Sequence, residues 1–202
     1  MLLDAHALLT FLMAAPATLC LAAATPAEAR GAQGHPPHHP SKPINQRTAQ
    51  EVVAQLNLIP NIEKGYFIET FRDTDNVTTT TGGVPARAAS TAIYYLLEGT
   101  VGDSVWHRVD APEVWHYYAG APLVLSLSYD DSAPLRKVTL GPDVFDGQSP
   151  QVVVGKWEWQ SARSLGSWTL VGTTVAPGFE VAGSELAEAG WVPNATQMAV
   201  VF

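Results

Sequence analysis

Two histidines and a glutamate stand close together between Ala88 and Gly120, in the stretch AASTAIYYLLEGTVGDSVWHRVDAPEVWHYYAG: His107, Glu113 and His116. An imidazole can bind a metal or move a proton near neutral pH. A carboxyl group crowded by Tyr66, Trp115 and Tyr117 would lose hydration, and its pKa would rise toward the range where it exchanges protons. The chemistry on offer is acid/base transfer at carbon, with Glu113 and His107 as opposite partners. The simpler alternative is that Glu113 accepts hydrogen bonds from His107 or Arg108 and only ties strands together. Side chains alternate along a strand, so Glu113, Trp115 and Tyr117 share one face and Val114, His116 and Tyr118 the other. If Glu113 faces an interior, His116 does not, and a structural role suits it better.

Strands must hold these groups. The runs TAIYYLL and VWHYYA are β-branched and aromatic, and the polar segment between them reads as a turn. GYFIETFR alternates as a strand, and DTDNVTTTTGG after it reads as an exposed loop. Pro122 to Tyr129, Leu135 to Leu140, Gln151 to Val154 and Trp168 to Val175 are further strands. The one helical pattern starts at Thr48, with Glu51 three places on in capping-box spacing, and ends before Pro60. Short strands with Gly, Pro and Asp turns predict an all-β barrel or sandwich.

The spacing His107-x-Val109-x3-Glu113-x6-Gly120 resembles the first signature of the cupin superfamily. In that signature two His and a Glu on a bent strand pair bind a metal, and here Val109 stands at the second His position. The block GQSPQVVVGKWEWQ, Gly147 to Gln160, is similar to the second signature, with Gln160 in place of its His. With EKGYFIETFR, SARSLGSWTLVG and VAPGF, the chain from about Ala49 to Leu186 resembles the cupin subfamily catalogued as a domain of unknown function. The resemblance implies a double-stranded β-helix, a jelly-roll barrel, here with a short N-terminal helix, enclosing a small-molecule pocket. It also implies a homodimer. The block that usually reads like HPEGGYF is NIEKGYF here, and where VPAGxWQ is usual, Trp157 replaces a glycine at the expected pocket mouth. Two good ligands, His107 and Glu113, are too few for tight metal binding, so no cofactor is expected.

The resemblance and the residues together imply a metal-independent isomerase, dehydratase or cyclase acting on a small aromatic or polyketide-like molecule, as in secondary metabolism. His107 and Glu113 would be catalytic, and Tyr66, Tyr95, Trp115, Tyr117, Trp157 and Gln160 would bind the ligand. A non-catalytic binding module and a metal-dependent oxygenase are the alternatives.

The 202 residues, 47% hydrophobic, suffice for one barrel domain, placed at 44–202. A formal charge of −8 with scattered Lys and Arg argues against nucleic acid and anionic membranes as partners. Leu8 to Ala24 is apolar and Ala-rich with small residues following, so residues 1–29 read as a secretory signal peptide, although the preceding residues include no Lys or Arg. The alternative, an uncleaved anchor, is short for a span of ~20 residues. Cleavage would remove the only cysteine, Cys20, and leave no stable membrane insertion. Residues 30–43, RGAQGHPPHHPSKP, read as a flexible linker, with His35, His38 and His39 able at most to bind metal loosely. The triplets Asn76-Val-Thr78 and Asn194-Ala-Thr196 are compatible with glycosylation on a secretory route.

Overall fold

The computed structural model describes residues 42–78 and 86–195. The expected signal peptide, nearly all of the linker and Thr196 of the second glycosylation triplet lie outside the described residues. The helix is α1, Ala49–Leu56. Thr48 caps it, accepting from the Glu51 backbone N–H while the Glu51 carboxylate accepts from the Thr48 N–H, and Asn57 in the left-handed region ends it.

In chain order the strands are β1 (Ile59–Pro60), β2 (Tyr66–Arg72), β3 (Asn76–Val77), β4 (Arg87–Ala88), β5 (Thr91–Glu98), β6 (His107–Val109), β7 (Glu113–Gly120), β8 (Leu123–Ser128), β9 (Arg136–Leu140), β10 (Gln151–Val154), β11 (Trp159–Ser164), β12 (Trp168–Val175) and β13 (Ser184–Leu186). They form a six-stranded sheet, β1-β2-β5-β12-β7-β10, a five-stranded sheet, β13-β6-β11-β8-β9, and the small pair β3-β4. Every ladder is antiparallel. Two antiparallel sheets closing on one core make the double-stranded β-helix.

Two details depart from the sequence reading. The segment between β5 and β7 is more than a turn: it holds a 3-10 turn, Gly99–Val101, and then β6, which carries the chain into the opposite sheet. β5 and β7 do not pair, because β12 lies between them. Part of the expected loop after β2 is instead the short β3-β4 ladder, in which Asn76 pairs with Ala88 and Val77 with Arg87.

The core between the sheets gathers Leu97 from β5, Leu123, Leu125 and Leu127 from β8, Leu140 from β9 and Val171 from β12, all fully buried. Burying each such side chain stabilises by roughly 1.5–3 kcal/mol. On the other face of the six-stranded sheet, α1 lays Ala49 and Val52 against Leu96, Ala119, Trp168 and Leu170. TAIYYLL therefore reads as nearly continuous apolar sequence because its strand is covered on both sides. In β7 the register shifts between Val171↔Tyr117 and Leu170↔Ala119, a bulge at Tyr118 that turns Ala119 toward the helix. Gly120 closes the strand at φ 87°, where a Cβ would lie 2.4 Å from the Trp168 carbonyl oxygen. Only glycine fits both the backbone angle and the space.

Candidate functional site

The barrel is not filled along its whole length. At the end defined by β6, the start of β7 and the β1–β2 turn, a cavity of about 530 Å3 opens between the sheets. Its wall is mostly apolar, including Phe67, Ile93, Val109 and Phe179, and Glu63, His107 and Glu113 are among the titratable groups set into it. They come from different segments, the β1–β2 turn, β6 and β7.

Glu63 is held by its turn. Its N–H donates to Asn61 Oδ1 at 3.2 Å, and Lys64 and Gly65 both adopt positive φ. Lys64 Nζ donates to the carbonyls of Val101 and Asp103, pinning the turn to the opposite segment. The Glu63 carbonyl accepts from the Val105 N–H at 3.1 Å, and the Val105 carbonyl accepts from His107 Nδ1 at 3.0 Å. Carbonyl oxygens only accept, so Nδ1 carries a proton. Nε2 then faces Glu63 Oε2 at 3.5 Å. Burial pushes the Glu63 carboxyl above the usual carboxylate range; the charge of His107 opposes the shift, the charge of Glu113 adds to it, and a hydrogen bond from Asn61 opposes it.

Glu113 is 7% exposed. Its Oε2 accepts from Gln160 Nε2 at 2.6 Å, and Gln160 Oε1 accepts from Trp115 Nε1 at 2.9 Å. Because an indole N–H can only donate, Trp115 fixes which way the Gln160 amide points, and the amide in turn fixes the carboxylate. Tyr95 packs edge-on against Trp115, ring centres 5.9 Å apart. Burial, reinforced by Glu63, pushes the Tyr95 phenol well above its ordinary range, and its hydroxyl donates to the Lys64 carbonyl. Tyr95 is thus a neutral wall and a further anchor for the Glu63 turn.

Of the residues expected at the site, His107, Glu113, Trp115 and Tyr95 line the cavity. Gln160 stands behind the wall, 1% exposed, paired in register with His107. Three others are placed elsewhere. Tyr66 begins β2 on the face opposite Phe67 and packs with the helix cluster, its hydroxyl accepting from Gln50. Tyr117 does share the inner face with Trp115, but it packs against the filled part of the core and donates to the Gly120 carbonyl. Trp157, in a tight turn at φ 61° and 40% exposed, lies over the Arg108 guanidinium. It covers the outside of the barrel, not the cavity mouth. His116 is half-buried away from the cavity, Nε2 3.3 Å from Thr174 Oγ1. Glu63, in the block EKGYF, joins the site although no periodic pattern in the sequence marks it.

A family model described as Cupin superfamily (DUF985) matches residues 50–187. The chain belongs to this cupin family. Among solved structures it is similar to a hypothetical protein from Leishmania major, at 28% identity and TM-score 0.63, covering 69% of this chain and 86% of that one. It is also similar to a protein from Shewanella oneidensis, at 29% identity and TM-score 0.60, covering 70% and 85%. No curated protein matches the chain.

Many cupin barrels hold a metal on His and Glu side chains, and the donors of this member do not fit one. Val109 has no donor atom, and Gln160 uses both ends of its amide on Trp115 and Glu113. Among the described residues no three His, Cys, Asp or Glu groups are disposed around a common point for an ion. What the cupin cavity does hold is a carboxyl–imidazole contact, Glu63 with His107, and a separately anchored carboxyl group, Glu113.

Proposed function

We propose that the cavity binds a small, largely apolar or aromatic organic molecule and moves a proton on it, as an isomerase or lyase that uses no cofactor. The observation that carries this reading is the convergence of Glu63, His107 and Glu113, from three segments, on one enclosed apolar space. A cavity of this size suits a metabolite or a drug-sized ligand. Glu113, held by Gln160, takes a proton from a carbon acid, and the C–H electron pair shifts into the adjacent π-system. A proton carried by Glu63 or His107 is delivered at the other end of that system. The product is an isomer; Glu113 has gained the proton that the pair has lost, and returning it through water restores the enzyme. Trp115 and Tyr95 supply flat walls that orient an unsaturated ligand.

The test has two stages. A metabolite library is screened by change in tryptophan fluorescence, and the binders are incubated with the protein in D2O while their C–H signals are followed by NMR. Deuterium should enter one position, and Glu113→Gln should slow its entry by about 10²-fold or more with affinity changed only a few-fold, the scale expected for loss of a general base. Binders that never exchange would make the protein a binding module. That second reading is favoured by one observation: both metal-type positions, Val109 and Gln160, have lost ligating function.

Secretion belongs to the same proposal, supported by the apolar, Ala-rich Leu8–Ala24 and by the exposed Asn76 of the first glycosylation triplet. Mass spectrometry of secreted protein should find a new N-terminus after Ala24 or Ala29, and an intact Met1 would contradict it. Homodimerisation is supported by the edge strand β10, where Val153 is 55% exposed, and light scattering would test it.

A further inference from the structure

The charges around the cavity are unbalanced in one direction. Among the described residues its lining carries five carboxylates, on Glu63, Glu69, Glu113, Glu180 and Glu185, against the guanidinium of Arg72 and the imidazole of His107. At the mouth every carboxylate already has a guanidinium partner. Arg72 lies between Glu69, at 2.8 Å, and Glu180, at 2.9 Å, and Glu185 is paired with Arg108 at 2.6 Å. At the inner end no guanidinium reaches the carboxyl groups: Glu63 has only the imidazole of His107, whose Nδ1 proton is committed to the Val105 carbonyl, and Glu113 is held by the neutral Gln160 amide. The surrounding wall adds the rings of Phe67, Tyr95 and Trp115.

We propose that the ligand of this cavity carries a protonated nitrogen on its apolar body, and that the nitrogen sits at the inner end between Glu63 and Glu113. The inference rests on the reading of the cavity as a small-molecule site and adds the charge of its occupant. Two carboxylates in a low-dielectric space repel one another and repel any anion, so a carboxylic or phosphoric acid enters against the field. A cation relieves that repulsion, and an ammonium group also gains from nearby aromatic faces. Burial pushes the Glu63 carboxyl upward, His107 opposes that push and the Glu113 charge adds to it; a cation bound beside Glu63 would oppose it further. An ammonium group can donate to both carboxylates at once, which a neutral hydroxyl cannot.

Matched sets of three probes that share one body and differ only in the head group test this by isothermal titration calorimetry at low salt: phenethyl, indolylethyl and cyclohexylethyl skeletons, each as amine, alcohol and carboxylic acid. The amine of at least one set should bind ten-fold or more tighter than its alcohol, and the acid should bind most weakly. Glu63→Gln should weaken the amine by about ten-fold while leaving the alcohol within three-fold; circular dichroism and the thermal midpoint confirm that the variant is folded. An alcohol or acid binding as tightly as its amine would overturn the charge assignment and leave the cavity standing as a site. Failure of every probe of all three skeletons to bind would overturn the charge assignment and the small-molecule reading together.

Discussion

The two ends of the barrel are built from the same strands and do opposite things. β7 runs through both: Glu113 and Trp115 face the cavity, while Tyr117, two residues on and on the same side, packs into a closed core with its hydroxyl on a backbone carbonyl. At the closed end β8 sends in Leu123, Leu125 and Leu127 with no solvent exposure. At the open end the facing strand is β6, only three residues long, and it sends in His107 and Val109. The alternation of a strand decides which side a residue faces. Whether that side becomes core or cavity is decided by the length and bulk of what stands opposite.

Truncation separates the ends. Leu125→Ala should cost about 2–5 kcal/mol, measured from the denaturant midpoint, since a fully packed site cannot collapse around the missing atoms. Ile93→Ala, at a wall that already borders open space, should cost about 1 kcal/mol; equal losses would show that the open end is packed as tightly as the closed one. Gln160→Leu reaches the boundary between them. It strips Trp115 Nε1 of its acceptor and Glu113 of its donor, and should destabilise by about 1–3 kcal/mol. Thr48→Ala, remote from both ends, removes only the cap of α1 and should cost about 1 kcal/mol.

The pH dependence sharpens the comparison, because Glu63, a carboxyl pushed upward by burial, stands at the open end. A carboxyl whose folded pKa lies above its unfolded value binds more protons folded than unfolded between those two values, so folding stability falls as pH rises through that window. Glu63 fits this case, with burial as the main cause and Glu113 adding to it. The thermal midpoint should therefore decline as pH rises from about 4.5, and Glu63→Gln should flatten that decline. A variant that declines as steeply as the wild type would show that Glu63 is not the group responsible.

The sequence pattern made much of this visible, and its failures have local causes. β5, β7, β8, β10 and β12 were legible because alternating or continuous apolar runs follow directly from burial on one or both faces. His107, Glu113 and Gly120 were legible from spacing. β11, WQSARS, was not, because its polar residues are buried and satisfied internally: Ser161 donates to the Ser104 carbonyl and Ser164 bonds Thr169 at 2.7 Å. Tyr66, expected to bind the ligand, packs with the helix cluster, and Phe67 beside it is the one that lines the cavity. Trp157 sits in a turn whose positive φ sends the ring onto Arg108, a direction no strand parity could give. Glu63 carries no periodic signal either. It reaches the site only because Lys64 and Asn61 fold its turn inward, which the block NIEKGYF does not signal.

The measurement that tests the central claim most directly fills the open end. Val109, 4% exposed on β6, points into the cavity beside His107, and Val109→Phe would occupy that space with a ring. If the open end is a ligand site, this variant should keep or raise its unfolding midpoint and lose at least ten-fold in affinity for any molecule that binds the wild type. An unchanged affinity in a folded Val109→Phe protein would place the ligand elsewhere and contradict the account.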